Sequence, residues 1–237
     1  MKRWLWILYL VISLINYALF LWVLPSSLVP YFQYAGIIGN GFFALLIGYK
    51  QPQKGVLILA LFGTMVADLF LLFPGGNRIL GTAVFVVVQG LYGWFLMDQL
   101  VSNQEGKIWK WGRAMGSLVI LLVAWWISPE EIRLLLMVGG LYGVQLLFNV
   151  ALALRLWKQV PWMAFGMVMF LGCDGLVALS SIQAYLPTSL ASLPLIQVYF
   201  ASSFPWIWFF YYPSQFFLVM TVVQPLKKKT VHHSLVS

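Results

Sequence analysis

The sequence predicts an all-α, polytopic membrane protein of eight transmembrane helices with both termini cytoplasmic. Three observations predict it. Hydrophobic residues make up 62% of the 237, charged residues only 8%, and mean hydropathy is +0.90; soluble domains carry about 25% charged residues. Apolar runs near the ~20 residues that cross a hydrocarbon core recur between short polar breaks. Lys and Arg are abundant in every second break and scarce in the others.

The elements follow in order. The first apolar segment, 4–24, comes directly after Lys2 and Arg3. It is too long for the h-region of a cleavable signal and lacks an Ala-x-Ala-type site, so it reads as a first span that also targets the chain. It stops at Leu24-Pro25-Ser26-Ser27. The second, 31–49, stops at Lys50-Gln51-Pro52-Gln53-Lys54, and the third, 55–73, at Phe73-Pro74-Gly75-Gly76-Asn77. Turn-forming Pro, Gly and Asn mark these breaks. The fourth, 79–97, is followed by a charged stretch from Asp98 to Arg113. The fifth, 114–128, is short and ends at Ser128-Pro129-Glu130-Glu131; the sixth is 133–154 and the seventh 162–183. The eighth, 195–225, is long enough to tilt or to bend at Pro205 or Pro213. Residues 1–226 form a single transmembrane domain, and 227–237 a short basic cytoplasmic tail.

Charge supports this division. Lys2, Arg3, Lys50, Lys54, Lys107, Lys110, Arg113, Arg155, Lys158, Lys227, Lys228 and Lys229 fall on one side, and only Arg78 and Arg133 on the other. That is the positive-inside pattern, and it places both termini in the cytoplasm. The net charge of +8 therefore reports topology and contact with anionic headgroups; no nucleic-acid partner is expected. Trp and Tyr near segment ends, among them Trp4, Tyr34, Trp109 and Trp162, form an interfacial aromatic belt. Glycines within segments, such as Gly139-Gly140, permit close helix packing. A lone cysteine, Cys173, excludes an internal disulfide and a multi-cysteine metal site. Nothing at ligand spacing argues for a metal, and no cofactor is expected.

Asp68 and Asp174 are the residues that do not belong in hydrocarbon. A charged group there costs roughly 2.5–3.5 kcal/mol on insertion scales, so an intramembrane acid marks function by default. Asp68 lies 13 residues after Gly55 and Asp174 lies 12 after Trp162, about 18–20 Å along two parallel helices. The same depth lets both face one cavity. Desolvation and like-charge proximity then leave one protonated and one ionised, an acid–base pair suited to hydrolysis. Gln89 and Tyr92 lie three apart in the fourth segment, as do Tyr212 and Gln215 in the eighth, and each pair shares a helix face. Segments two to four thus read as a parallel duplicate of six to eight. Asn40, Gln145 and Asn149 add amides at membrane depth, where interhelical hydrogen bonding is their ordinary use. Cys173 is expected to serve packing, since the only histidines, His232 and His233, lie in the tail and cannot activate a thiol.

These residues resemble the YhhN-type lysoplasmalogenase family of eight-span membrane proteins. The likeness rests on Ala67-Asp68-Leu69-Phe70-Leu71-Leu72 followed by Gly81, Phe85, Gln89 and Tyr92, then on Cys173-Asp174-Gly175 and on Tyr211-Tyr212-Pro213-Ser214-Gln215. Ala67 stands where the family pattern has Gly, Cys173 where it has Ser, and Gln89 where it has His. The resemblance implies hydrolysis of the vinyl-ether bond of a lysophospholipid, releasing a fatty aldehyde. Asp68 and Asp174 are then catalytic, with Gln89, Tyr92, Asn40, Tyr212, Gln215 and Lys50 or Lys54 positioning the lipid. A proton- or ion-coupled transporter using both aspartates, or a non-catalytic lipid-binding relative, is the alternative. A bacterial plasma membrane is the expected location.

Overall fold

The computed structural model describes residues 3–23, 27–48, 54–73, 75–100, 103–181 and 193–224. Among them nine helices form and no strand. They are α1 (Arg3–Ala18, continued by the π-helical Leu19–Val23), α2 (Val29–Gly48), α3 (Gly55–Leu72), α4 (Arg78–Asp98) and α5 (Asn103–Ile127). The others are α6 (Glu130–Arg155), α7 (Pro161–Ser181), α8 (Pro194–Ala201) and α9 (Trp206–Val223). Seven of these, α2 to α7 and α9, are long and apolar enough to cross a membrane. The chain is a multi-pass membrane protein.

Three expectations change. The first segment is helical from Arg3 to Val23, but its last turn, Leu19–Val23, is π-helical. The fifth begins at Asn103 and not at 114. The stretch from Gln104 to Arg113 consists of helix formers, and Glu105 pairs with Arg155 at the end of α6, so charge there marks an exposed helical turn and no loop. The eighth segment is two helices. The Ser202 hydroxyl accepts from Phe204 N (3.0 Å) and Trp206 Nε1 (3.1 Å), turning the chain ahead of Pro205, which has no N–H to continue a helix. The termini and the tail lie outside the described residues.

Pro213, by contrast, sits inside α9. A proline there frees the carbonyl four residues earlier, and the Tyr17 hydroxyl donates to that carbonyl, Phe209 O, at 2.9 Å. The bend is therefore absorbed by a partner from α1.

Six helices close a ring in the order α2, α3, α4, α6, α7, α9 and back to α2, with α1 packed outside on α2 and α5 outside on α6. Exchanging α1–α4 with α5, α6, α7 and α9 maps these neighbours onto themselves, the arrangement of a parallel repeat about an axis along the membrane normal. Residues such as Ile37, Leu61, Val88, Leu146, Met167 and Leu218 fill the interior. The two outer helices expose apolar surface to lipid, as at Ile7 and Trp126.

Lys54 closes one end of the ring. It is 2% exposed, and its ammonium donates to Val222 O at 2.5 Å and to Gln224 O, satisfying carbonyls that the end of α9 leaves open. Desolvation by burial pushes Lys54 down to about 8 from its usual 10.5. Between those values the unfolded chain holds the proton more often than the folded one, so stability rises with pH; the neutral amine still has two hydrogens for the two carbonyls.

Two predictions follow from these contacts. In detergent, the unfolding midpoint of the natural chain rises from pH 8 towards pH 10 relative to that of Lys54→Met; parallel curves for the two proteins would refute this. Tyr17→Phe leaves the Phe209 carbonyl unpaired and costs about 1 kcal/mol, read as a lower unfolding temperature.

Candidate active site

Asp68 on α3 and Asp174 on α7 each lie thirteen residues after the first residue of their helix, Gly55 and Pro161. They sit four residues before Leu72 and seven before Ser181, so both belong to the half of the bundle where α3 and α7 end. Each carboxylate has its own tyrosine. Tyr211 of α9 donates to Asp68 Oδ2 at 2.5 Å, and Tyr142 of α6 donates to Asp174 Oδ2. Phe85 and Phe170 stand between the two tyrosines: Tyr142 to Phe85 is 5.6 Å between ring centroids, Phe85 to Phe170 5.8 Å and Phe170 to Tyr211 5.6 Å.

The carboxylates are near enough for Asp68 to feel the charge of Asp174, and the Cys173 thiol is coupled to both. Cys173 is therefore inside the site and not merely beside it. Close packing of α4 on α3 depends on Gly81: a Cβ there would stand 2.7 Å from Leu71 Cγ and 3.2 Å from the carbonyl oxygen of Ala67, the residue before Asp68.

The two acids differ in access. Asp68 is 4% exposed, whereas Asp174 is half-buried. Next to Asp174, the position of a Cβ on Gly175 meets nothing within 4 Å. Two clefts open at the same end of the bundle. One of about 300 Å³ is lined by residues including Ser180, Tyr199, Ser202, Trp206 and Trp208; the other, of about 370 Å³, by Phe70 to Phe73, Gly75, Gly76 and Arg78. The carboxylates line neither. Trp208 links the first cleft to the site, its ring edge-on to Tyr211 at 5.2 Å.

Of the other residues singled out in the sequence, Gln89 and Tyr92 reach this region and both are fully buried. Gln89 Oε1 accepts from Asn149 Nδ2 at 2.7 Å, and its side chain faces the Tyr142 hydroxyl. Tyr92 lies beside Thr64 and within the field of Asp68. Gln89 Nε2 and the Tyr92 hydroxyl have no well-formed hydrogen bond, unusual for buried polar atoms. Gln215 is buried on α9 and donates to Ser214 at 3.2 Å. Asn40 and Tyr212 belong to a separate cluster at the α1 side. There Asn40 Oδ1 accepts from Tyr9 at 2.7 Å, and the Tyr212 hydroxyl accepts from Asn16 at 3.4 Å. It is Tyr211, and not Tyr212, that reaches an aspartate. Lys50 lies outside the described residues, and Lys54 turns inward to α9.

Sequence reasoning missed Tyr142, Tyr211 and Arg113. Tyr142, Gln145 and Asn149 fall at i, i+3 and i+7, a polar stripe on one helix face that was there to be read. The charge pattern places Arg113 at the end of a polar break. The structure puts it ten residues into α5, with its guanidinium on Gln89 O (3.0 Å), Asn149 Oδ1 (3.4 Å) and Gln145 Oε1. Arg113 thus lies within a helix long and apolar enough to span, and not in a break. The clue was the shortness of 114–128, which at 15 residues cannot span unless preceding turns join it.

The fold and the site define a class: a polytopic helical membrane protein with a pair of tyrosine-bonded carboxylic acids inside its helix ring. Comparison with known families then becomes specific, because the YhhN family model matches residues 41–222, which carry both aspartates and the whole ring except the first turns of α2. The chain belongs to the YhhN family. Neither the curated proteins nor the solved structures contain a match.

The enclosure of Cys173, 3% exposed, is directly testable. The detergent-solubilised protein should resist maleimide labelling until denatured; rapid labelling of the folded protein would contradict the packing described.

Proposed function

We propose that this chain is a lysoplasmalogenase-like hydrolase that cleaves the vinyl-ether bond of a lysophospholipid and releases a fatty aldehyde. One observation carries the reading: two neighbouring carboxylic acids, each thirteen residues into its helix and held by a tyrosine, one buried and one half-buried. Membership of the YhhN family and the resemblance of its motifs supply the reaction class.

The chemistry balances with these groups alone. Protonated Asp174, the reachable acid, gives its proton to the alkenyl carbon remote from oxygen. The electron pair of the double bond forms the new C–H bond, and the positive charge is shared by the neighbouring carbon and the ether oxygen. Water adds to that carbon, and its proton passes to the ionised carboxylate. The resulting hemiacetal collapses: its hydroxyl gives its proton to a carboxylate and becomes the carbonyl, the C–O bond to the glycerol oxygen breaks, that oxygen takes the proton of the carboxylic acid, and the aldehyde leaves. Asp68, held by Tyr211, is the second acid of the pair and lies close to the cationic intermediate. General acid–base groups of this kind contribute about 10²–10⁴-fold. The excess of Lys and Arg in alternate breaks supports cytoplasmic termini; residence in a bacterial plasma membrane is part of the proposal.

Aldehyde release from lysoplasmalogen by purified protein in detergent or vesicles tests the reading. Asp174→Asn and Asp68→Asn should each reduce kcat at least a hundredfold while the variants remain folded. Undiminished release in both would sink the carboxylate mechanism. Uptake of a solute driven by a pH gradient, without aldehyde release, would favour coupled transport.

A further inference from the structure

Arg113 is placed where a guanidinium is costly. It lies about 15 Å along α5, inside a helix long and apolar enough to span, and no carboxylate among the described residues pairs with it. Its acceptors are neutral: Gln89 O, Asn149 Oδ1 and Gln145 Oε1. An intramembrane cation held by neutral groups stabilises the helix poorly, so its use is to be sought in the geometry it imposes. Arg presents several N–H groups in a rigid fork, which a Lys cannot reproduce.

That geometry converges on Gln89. Arg113 donates to the Gln89 carbonyl, and Asn149 Nδ2 donates to the same carbonyl at 2.8 Å and to Gln89 Oε1 at 2.7 Å. Arg113 in turn holds Asn149 by its Oδ1. Every acceptor of Gln89 is thereby occupied. Only Nε2 is left without a well-formed hydrogen bond, fully buried and facing the hydroxyl that Tyr142 directs to Asp174. Gly93, one turn further along α4, makes room for the fork: a Cβ there would lie 2.8 Å from Asn149 Oδ1 and 2.9 Å from Arg113 Cζ.

We infer that Arg113 is a positioning residue. Acting through Asn149 and the Gln89 backbone, it fixes the Gln89 amide so that Nε2–H is offered to an oxygen of the lipid bound at Asp174. This rests on the lysophospholipid reading above and adds to it the residue that sets the donor. The glutamine cannot titrate, so its part is direction, and direction is what the arginine supplies.

The test is a set of substitutions read by kcat/KM for aldehyde release, with unfolding temperature recorded for each. Gln89→Ala and Arg113→Lys should each lower kcat/KM about tenfold, the size of one well-made hydrogen bond, and the double variant should be no worse than the poorer single. Gly93→Ala, which keeps the arginine but displaces its fork, should match Arg113→Lys and serves if the latter fails to fold. Unchanged kcat/KM in Arg113→Lys and Gly93→Ala, or a hundredfold additive loss in the double variant, would overturn the inference while the hydrolase stands. If the natural chain releases no aldehyde, the hydrolase reading falls. The inference is then read from binding of a saturated alkyl-ether lysophospholipid, which cannot be cleaved this way. The same non-additive weakening supports it; no binding, or additive or absent effects, overturns it.

Discussion

A carboxylic acid in hydrocarbon must find its hydrogen-bond partners inside the protein, and the rest of the structure is arranged around that requirement for two such acids. Water is not at hand to solvate them, and leaving them bare costs several kcal/mol. Tyrosine meets the need well, since its ring packs as a hydrophobe while its hydroxyl donates. The tyrosines must come from helices other than those of the acids, so the requirement ties α9 to α3 and α6 to α7. Those ties, with Phe85 and Phe170 wedged between them, explain why the ring closes on this level rather than on a layer of aliphatic side chains.

The same constraint governs the irregular places. Pro213 frees a carbonyl and Tyr17 takes it; the last turn of α9 leaves carbonyls open and Lys54 takes them. In each case the repair comes from a distant part of the chain, so the repair also fastens two elements together. Arg113 follows this pattern in reverse: it brings its own cost into the bundle and gathers three acceptors from α4 and α6.

The sequence revealed what composition and spacing encode locally. Asp68 and Asp174 stood out because nothing near them was charged, and counting from Gly55 and Trp162 put them at one depth. The helices α2, α3, α4, α6 and α7 came out within about two or three residues of their ends. What stayed hidden depended on rotation about helix axes and on contacts across the ring. Tyr211 and Tyr212 are adjacent, and no local signal says which faces the acids; packing of α9 against α3 and α7 decides it. Cys173 looked like filler because neighbouring residues on a helix diverge, yet the site is broad enough for both Cys173 and Asp174 to border it. Charge misled at 103–113, where a helix runs on through polar residues before it becomes apolar.

The position of the acids along their helices has one more consequence. Asp68 is four residues from the end of α3 and Asp174 seven from the end of α7, about 6 and 10 Å of helix. With the ends of α3 and α7 at the edge of a hydrocarbon core about 30 Å thick, that puts the acids nearer one leaflet's glycerol backbones than the midplane. A lipid of the class proposed carries its vinyl ether immediately below that backbone. Lipids of the nearer leaflet therefore offer the bond at the level of Asp174 with their headgroups still in water, whereas those of the far leaflet would first have to flip. On the hydrolase proposal, the side from which substrate is supplied follows from how far along its helix each aspartate stands.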